Sequence, residues 1–283
     1  MARPTRLLCV LLTVLALAVP GTAARADDLS FGVLTQRSPV LTAQYWNPIL
    51  DYVARKSGVK LALKVPRTAP EANAAIAAGE YDFTYSNKIF NPRPGEPAYR
   101  VVARPDGPPI RGQIVTLADS PIRSLDQLAG REVGFPSVTA FVGYGVPMDH
   151  LIRAGVHVTP VFGGNQEGIM AQLKLGKVIA AGVNDQVMRE FASREKMEYR
   201  VLWQSQPYHN LAIAVHPRVA KATADAVQRT LAGMSADPEG MAVLQASAAL
   251  VGQASAEGFV AASPKDYANY EDFYRNMTVK DFR

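Results

Sequence analysis

Strand-like and helix-like segments alternate through the first third of this chain, and that alternation restricts its fold more than any other feature. Leu29 to Leu34 reads as a strand, Thr42 to Lys56 as a helix that Gly58 stops, and Val59 to Val65 as a second strand. Ala69 to Ala78 carries a proline near its start and Gly79 at its end, the expected order of helix signals, and Tyr81 to Tyr85 follows as a short strand. Strands separated by helices build parallel βαβ units, whose ligands bind at the carboxyl ends of the strands.

Proline-rich stretches at Asn91 to Pro97 and Pro105 to Pro109 read as loops, after which the pattern resumes. Ile114 to Leu117 is the next strand, Ser124-Leu125-Asp126-Gln127 offers a helix cap, and Glu132 to Phe135 is another strand. A helix from Ala140 to Ala154, a strand from His157 to Phe162, a helix from Glu167 to Leu175 and a strand from Val178 to Val183 complete a second unit. Apolar runs at Arg200 to Trp203 and Leu211 to Val215 follow, then helices near Val219 to Met234, Pro238 to Ala249 and Lys265 to Arg275. With no sheet of their own, these last helices are expected to pack on the first lobe. The fold class is therefore α/β and bilobed, with residues 27–113 plus 212–283 forming lobe 1 and 114–211 forming lobe 2. The chain would cross between lobes near Arg111 to Thr116 and near Gln204 to Ala212.

The first 26 residues have a different character. Arg3 and Arg6 precede an apolar run from Leu7 to Val19 and small residues ending in Ala24-Arg25-Ala26, the layout of a secretory signal cleaved after Ala26, which predicts a periplasmic protein. The run is shorter than the roughly 18 to 20 residues a membrane-spanning helix needs. Cys9, the only cysteine, lies inside it, so the processed chain has no disulfide and no thiolate metal site. Without Arg3, Arg6 and Arg25 the chain has 27 basic and 25 acidic residues, a net charge of +2, which gives no reason to expect a nucleic-acid partner.

Catalytic signatures are missing. His150, His157, His209 and His216 fall on separate elements without metal-ligand spacing, and neither a nucleophile elbow nor a phosphate loop is present. Gly143-Tyr144-Gly145 is a weak echo of a dinucleotide fingerprint and falls inside a helix. The expectation is a monomeric binding protein, not an enzyme, with no cofactor and no metal.

Phe135-Pro136-Ser137-Val138-Thr139-Ala140-Phe141 carries most of the functional information, because a strand gives way through hydroxylated residues to a helix. The first N–H groups of a helix lack internal acceptors and the helix dipole favours negative charge there, so this is a seat for an anion. Ser137 or Thr139 capping an ordinary helix explains the same residues equally well.

A longer set of segments decides between these. Trp46-Asn47-Pro48-Ile49-Leu50-Asp51-Tyr52, Gly79-Glu80-Tyr81-Asp82-Phe83 with Tyr85, and Ser120-Pro121-Ile122-Arg123-Ser124-Leu125-Asp126-Gln127-Leu128-Ala129-Gly130 come in order. Ser137, Thr139-Ala140-Phe141, Pro147, Gly163-Gly164-Asn165-Gln166 and Gly176 to Gly182 continue the series. Together they resemble the phosphate/phosphite/phosphonate substrate-binding proteins of periplasmic ABC importers. The resemblance implies two lobes closing on a small oxyanion, with an inner-membrane ABC permease as partner. The alternatives are the same fold serving a membrane kinase or receptor as its ligand sensor, or the same fold binding a different small organic ligand.

Carried over by position, Ser137 and Thr139 would bond the ligand oxygens, and Tyr85 and Tyr45 would face the cleft from the first lobe. Asn184 and Asp185 fall where relatives place a polar or acidic contact, Asp185 reading equally as a solvated loop acid. Relatives carry Ser-Thr-Ser at the seat and Gly-Ser-His-Asp in the later turn, where this chain has Ser137-Val138-Thr139 and Gly164-Asn165-Gln166. Asn165 donates through its amide but carries no charge, so the seat neutralises a dianion less well than the family pattern implies.

Overall fold

The computed structural model describes residues 28–282, so the expected signal segment lies outside the described residues. Eleven strands and eight helices follow one another as β1 (Leu29–Val33), α1 (Pro39–Ser57), β2 (Leu61–Lys64), α2 (Ala69–Ala77), β3 (Phe83–Ser86), β4 (Arg100–Pro105), β5 (Gly112–Leu117) and β6 (Glu132–Phe135). They continue as α3 (Val146–Arg153), β7 (Thr159–Phe162), α4 (Gln166–Lys174), β8 (Ala181–Asn184), α5 (Asp185–Glu195) and β9 (Tyr199–Gln204). The chain ends with β10 (Ala212–Val215), α6 (Lys221–Gly233), α7 (Pro238–Val251), β11 (Phe259–Ala261) and α8 (Ala268–Asn276).

The strands form two sheets, ordered β11-β4-β10-β3-β1-β2 and β7-β6-β8-β5-β9. β1 pairs in parallel with both β2 and β3, and β6 with both β7 and β8, as the strand–helix alternation requires. β10 enters the first sheet antiparallel to β3 and β4, and β5 lies antiparallel to β8 and β9 in the second. The chain passes between the sheets twice, after β4 and after β9. The two crossing segments are tied by a reciprocal pair of hydrogen bonds between Ile110 and Tyr208, each 2.8 Å.

Helix α1 begins three residues before the position expected from the apolar pattern, because Ser38 accepts the Leu41 N–H at 3.3 Å and Pro39 is preorganised for a first turn. Gly58 ends it in the left-handed conformation, φ 73°. Its buried face, Trp46, Ile49, Leu50 and Val53, packs with Phe31 and Phe83 of the first sheet and with Leu231 and Leu244 of α6 and α7.

The second lobe has a core on each face of its sheet. Ile169, Leu173, Val187 and Phe191 from α4 and α5 cover one face. The sequence reading assigned no helix to residues 185–195, yet Asn184 caps α5 through its side-chain oxygen, which accepts from Gln186 N at 2.9 Å and Val187 N at 3.4 Å. The other face holds Phe135, Phe141, Tyr144 and Leu151.

Helix α8 corrects the expected packing of the C-terminal helices. α6 and α7 do cover the first lobe, but Tyr270 of α8 stacks on Phe141 with ring centroids 4.1 Å apart. Tyr270 Oη donates to His209 O at 2.6 Å, Arg153 donates to Asn276 O at 2.6 Å, and Tyr144 donates to Asp281 at 2.7 Å. The chain terminus therefore clasps the second lobe and the crossing segment.

Two strand glycines let the helical start at Phe141 lie directly on the second sheet. A Cβ on Gly112 would sit 2.6 Å from Val142 O, and one on Gly182 would sit 2.6 Å from Gly143 O and from the Phe135 ring. Backbone cannot move aside as a side-chain tip can, so Gly182→Ala should destabilise the protein by about 1–3 kcal/mol. Thermal unfolding checks this, and an unchanged midpoint would mean that the helix start is not held against β8.

Candidate functional site

The lobes close on one another through polar contacts drawn from both sides. Gln36 O accepts from Glu167 N at 3.2 Å, and Ser38 N donates to the Glu167 carboxylate at 2.9 Å. Gln186 donates to Glu257 at 3.2 Å and accepts from Asn210 at 2.7 Å. Arg37, just past the carboxyl end of β1, pairs with Glu190 of α5, with side chains only 13% and 4% exposed.

Two small cavities lie between the lobes, both bordered by Gln36. Each encloses about 20 Å³, roughly the space of a single water molecule. In this conformation neither cavity has room for a ligand larger than about one water.

The first cavity lies between the turn after β1 (Leu34, Thr35, Gln36), the helix start (Pro136, Ala140, Phe141, Val142) and Asn184. A π turn, Phe141–Gly145, runs straight into α3. Ala140 N bonds back to Ser137 O at 3.2 Å, and Tyr144 N and Gly145 N both reach Ala140 O. Among the described residues the N–H groups of Phe141, Val142 and Gly143 have no acceptor, as expected at a helix start.

Asn184 is fully buried; its oxygen is committed to the α5 cap, and its Nδ2 has no partner among the described residues. A buried unpaired amide donor costs about 1–3 kcal/mol. Asn165 borders the same cavity and caps α4 by accepting from Gly168 N at 2.8 Å.

The second cavity is bordered by Arg37, Tyr45, Tyr85, Gln186, Asn210 and Glu257, among others. Neither tyrosine hydroxyl has a hydrogen-bond partner among the described residues. Burial pushes the Tyr45 phenol up to about 12, and burial raises Tyr85 well above its ordinary value, so both remain protonated donors at any physiological pH. Burial, then the nearby Glu190 charge, raises the Glu257 carboxyl; the Gln186 hydrogen bond and Arg37 only partly oppose this.

The residues expected from the sequence therefore separate into groups. Asn165 and Asn184 meet at the first cavity, and Tyr45 and Tyr85 at the second. Ser137 and Thr139 pair through their hydroxyls at 3.2 Å and border neither cavity. Asp185, read as an open loop acid or a ligand contact, is instead the first residue of α5. One of its oxygens accepts from Arg111 N at 2.7 Å and the other pairs with Arg189 at 2.8 Å. Arg37 and Glu257 escaped the sequence reading. For Arg37 a signal existed, its place at the carboxyl end of a parallel strand.

Two α/β lobes joined by paired crossing segments, with donors from both converging on an enclosed cleft, define a periplasmic-binding-protein fold. The chain belongs to the family of ABC transporter, phosphonate, periplasmic substrate-binding proteins, whose model matches residues 31–267. This is a family of binding proteins, which places the chain in the periplasm with a small-molecule ligand and a membrane permease.

Solved structures agree on the fold. PhnD1 from Prochlorococcus marinus in complex with methylphosphonate aligns with TM-score 0.75 at 16% identity, covering 87% of this chain and 97% of that one. A binding-protein component of an ABC phosphonate transporter from Pseudomonas aeruginosa gives 0.72 at 15% identity, covering 87% and 85%. A Xanthomonas citri protein bound to chloride gives 0.66 at 15% identity, covering 87% and 96%. No curated protein sequence matches the chain.

The raised Glu257 carboxyl makes a testable statement about stability. A carboxyl whose folded-state pKa is raised contributes stability below its ordinary value of 4.5, and that contribution is lost as pH rises through the raised value. Glu257→Gln should therefore melt progressively higher than the unsubstituted protein as pH increases from 4 to 8. A difference that stays constant across that range would show that the carboxyl is not held in the closed cleft.

Proposed function

We propose that the chain is the solute receptor of an ABC importer for a small phosphorus oxyanion of the phosphonate class, exported by a signal cleaved after Ala26 and acting as a monomer. The oxyanion sits where the two cavities meet at Gln36. On the second-lobe side the N–H groups of Phe141, Val142 and Gly143 and the amides of Asn184 and Asn165 donate to it. On the first-lobe side Tyr85 and Tyr45 donate. Ser137 and Thr139 shape the turn that presents the helix start, and Asp185 supports the adjoining α5.

The observation that carries this reading is that Asn184, whose buried Nδ2 has no partner among the described residues, borders the same cavity as Phe141 and Val142, whose N–H groups likewise have none. Donors so placed ask for a compact acceptor rich in oxygen. Hydrogen bonds to a charged group contribute about 1.5–3 kcal/mol each, and a micromolar site needs about 8 kcal/mol net. Four or five such donors suffice after ordering costs.

Thermal unfolding against methylphosphonate, phosphite, phosphate, aminoethylphosphonate, sulfate and methanesulfonate tests the reading. A ligand at a thousand times its dissociation constant adds about 4 kcal/mol, which moves the midpoint by several degrees. A shift with a phosphorus oxyanion and none with sulfate is expected, whereas silence across the phosphorus compounds would refute the assignment.

Asn184→Asp isolates the key donor. Aspartate caps a helix as well as asparagine does, so the fold should hold, but it replaces the donor with a negative charge. Affinity for the oxyanion measured by calorimetry should fall by about tenfold or more.

A further inference from the structure

We infer that Arg37 supplies the fixed positive charge that the cleft presents to its oxyanion, with Glu190 as the internal carboxylate that competes with the ligand for it. The inference rests on the oxyanion reading above and names the residue that completes it.

The seat at the helix start contains only neutral donors: backbone amides, Asn165 and Asn184. Among the described residues that border the first cavity there is no lysine, arginine or histidine. Arg37 stands on the opposite wall, bordering the second cavity with Tyr45 and Tyr85. Its Nη2 is bonded to Glu190, while its Nε is buried and has no partner among the described residues. The guanidinium carbon lies 5.8 Å from the centre of the Tyr45 ring, a cation–π contact. A guanidinium presents five donors in a rigid fork, so the edge left free by Glu190 is available to a second oxyanion.

Glu190 has the matching defect. One carboxylate oxygen takes Arg37, and the other, Oε1, is buried without a partner among the described residues. A lone oxyanion on Arg37 would be repelled by this carboxylate across a poorly screened gap. The remaining groups around Arg37 are Tyr45 from α1, Tyr85 from β3 and Glu257 from the segment after α7. Both phenols are protonated donors, and Glu190 is the carboxylate bonded directly to Arg37, so it is the negative charge a ligand on Arg37 meets at closest range.

This arrangement differs from a plain latch between lobes, and the difference is measurable. In a latch, Arg37 and Glu190 matter equally and only to each other. If Arg37 holds the ligand, the two act in opposite directions.

The test is calorimetric titration of methylphosphonate and of inorganic phosphate into the protein recovered from the periplasm, with circular dichroism confirming the fold. Arg37→Gln should weaken binding by about 10- to 150-fold, and Arg37→Lys should keep much of it. Glu190→Gln, which keeps a carbonyl for Arg37 but removes the charge, should tighten binding several-fold. The double variant R37Q/E190Q leaves no unpaired buried charge, so it is the safeguard against misfolding. It should bind more weakly than the unsubstituted protein but less weakly than Arg37→Gln alone, in which the unpaired Glu190 still repels the ligand.

Equal weakening by Arg37→Gln and Glu190→Gln, or affinity restored in the double variant to that of the unsubstituted protein, overturns the inference while leaving the oxyanion reading intact. An unsubstituted protein that takes up neither ligand removes that reading, and the role of Arg37 with it.

Discussion

The close approach of backbone to backbone at Gly112 and Gly182 is the constraint on which the cleft depends. Strands β5 and β8 carry no side chain where Val142 O and Gly143 O come down on them. A side chain at either position would lift the helix start off the sheet. Phe141 and Val142 at this helix start and Asn184, two residues beyond Gly182, border the same cavity. Phe141 fixes the approach from the other side, stacked on Tyr270 and set edge-on to Tyr208. The C-terminal helix and the crossing segment therefore hold the seat's geometry, although neither contributes a donor to it.

Closure brings together groups that are costly to bury. Moving a carboxylate and a guanidinium out of water incurs several kcal/mol each, which their attraction recovers only with good geometry and further hydrogen bonds. Arg37 and Glu190 each keep one polar atom without a partner among the described residues, as does Asn184. Such defects concentrate where a structure is built for something other than its own stability. In the first lobe the exposed pairs between Lys56 and Asp237 and between Lys60 and Asp28 contribute little.

Sequence pattern revealed the elements whose signals are local. The βα alternation gave β1 through β3 with their helices, and Gly58 and Gly79 marked helix ends that the structure confirms in α1 and α2. β4 was passed over because it ends in Pro105 ahead of a proline-rich stretch, and β11 because it is only three residues long; both exist by pairing across the sheet, a long-range interaction with no local trace. Helix α5 was legible in principle, since Asn184 caps it and Val187, Met188, Phe191 and Ala192 share a face. Reading Asn184-Asp185 as a loop hid it. The misplaced α8 has the same cause as the missed Glu257: proximity in space between segments remote in sequence. Of the expected site residues, Tyr85, Asn165 and Asn184 on strand ends and caps and Tyr45 on α1 border the cleft, whereas hydroxyls at the turn found one another instead.

The division of labour between lobes bears on how a ligand drives closure. A ligand shifts a conformational equilibrium only by the difference between what it gains in one state and in the other. Helix-start amides and Asn184 belong to the second lobe and Arg37, Tyr45 and Tyr85 to the first, so an oxyanion gains from both sets only when they are apposed. Glu190 complicates the difference, because the second lobe already offers Arg37 a carboxylate when the lobes meet. The free energy a ligand adds to closure is therefore its contacts with Arg37 less those it displaces or opposes at Glu190, together with its full contacts to the neutral donors. A strongly charged ligand gains most at Arg37 but is also repelled most by Glu190, whereas the neutral donors reward shape and oxygen count. On the proposed assignment, selectivity among oxyanions of equal charge falls to the helix start and Asn184, and the balance between Arg37 and Glu190 sets how tightly any of them is held.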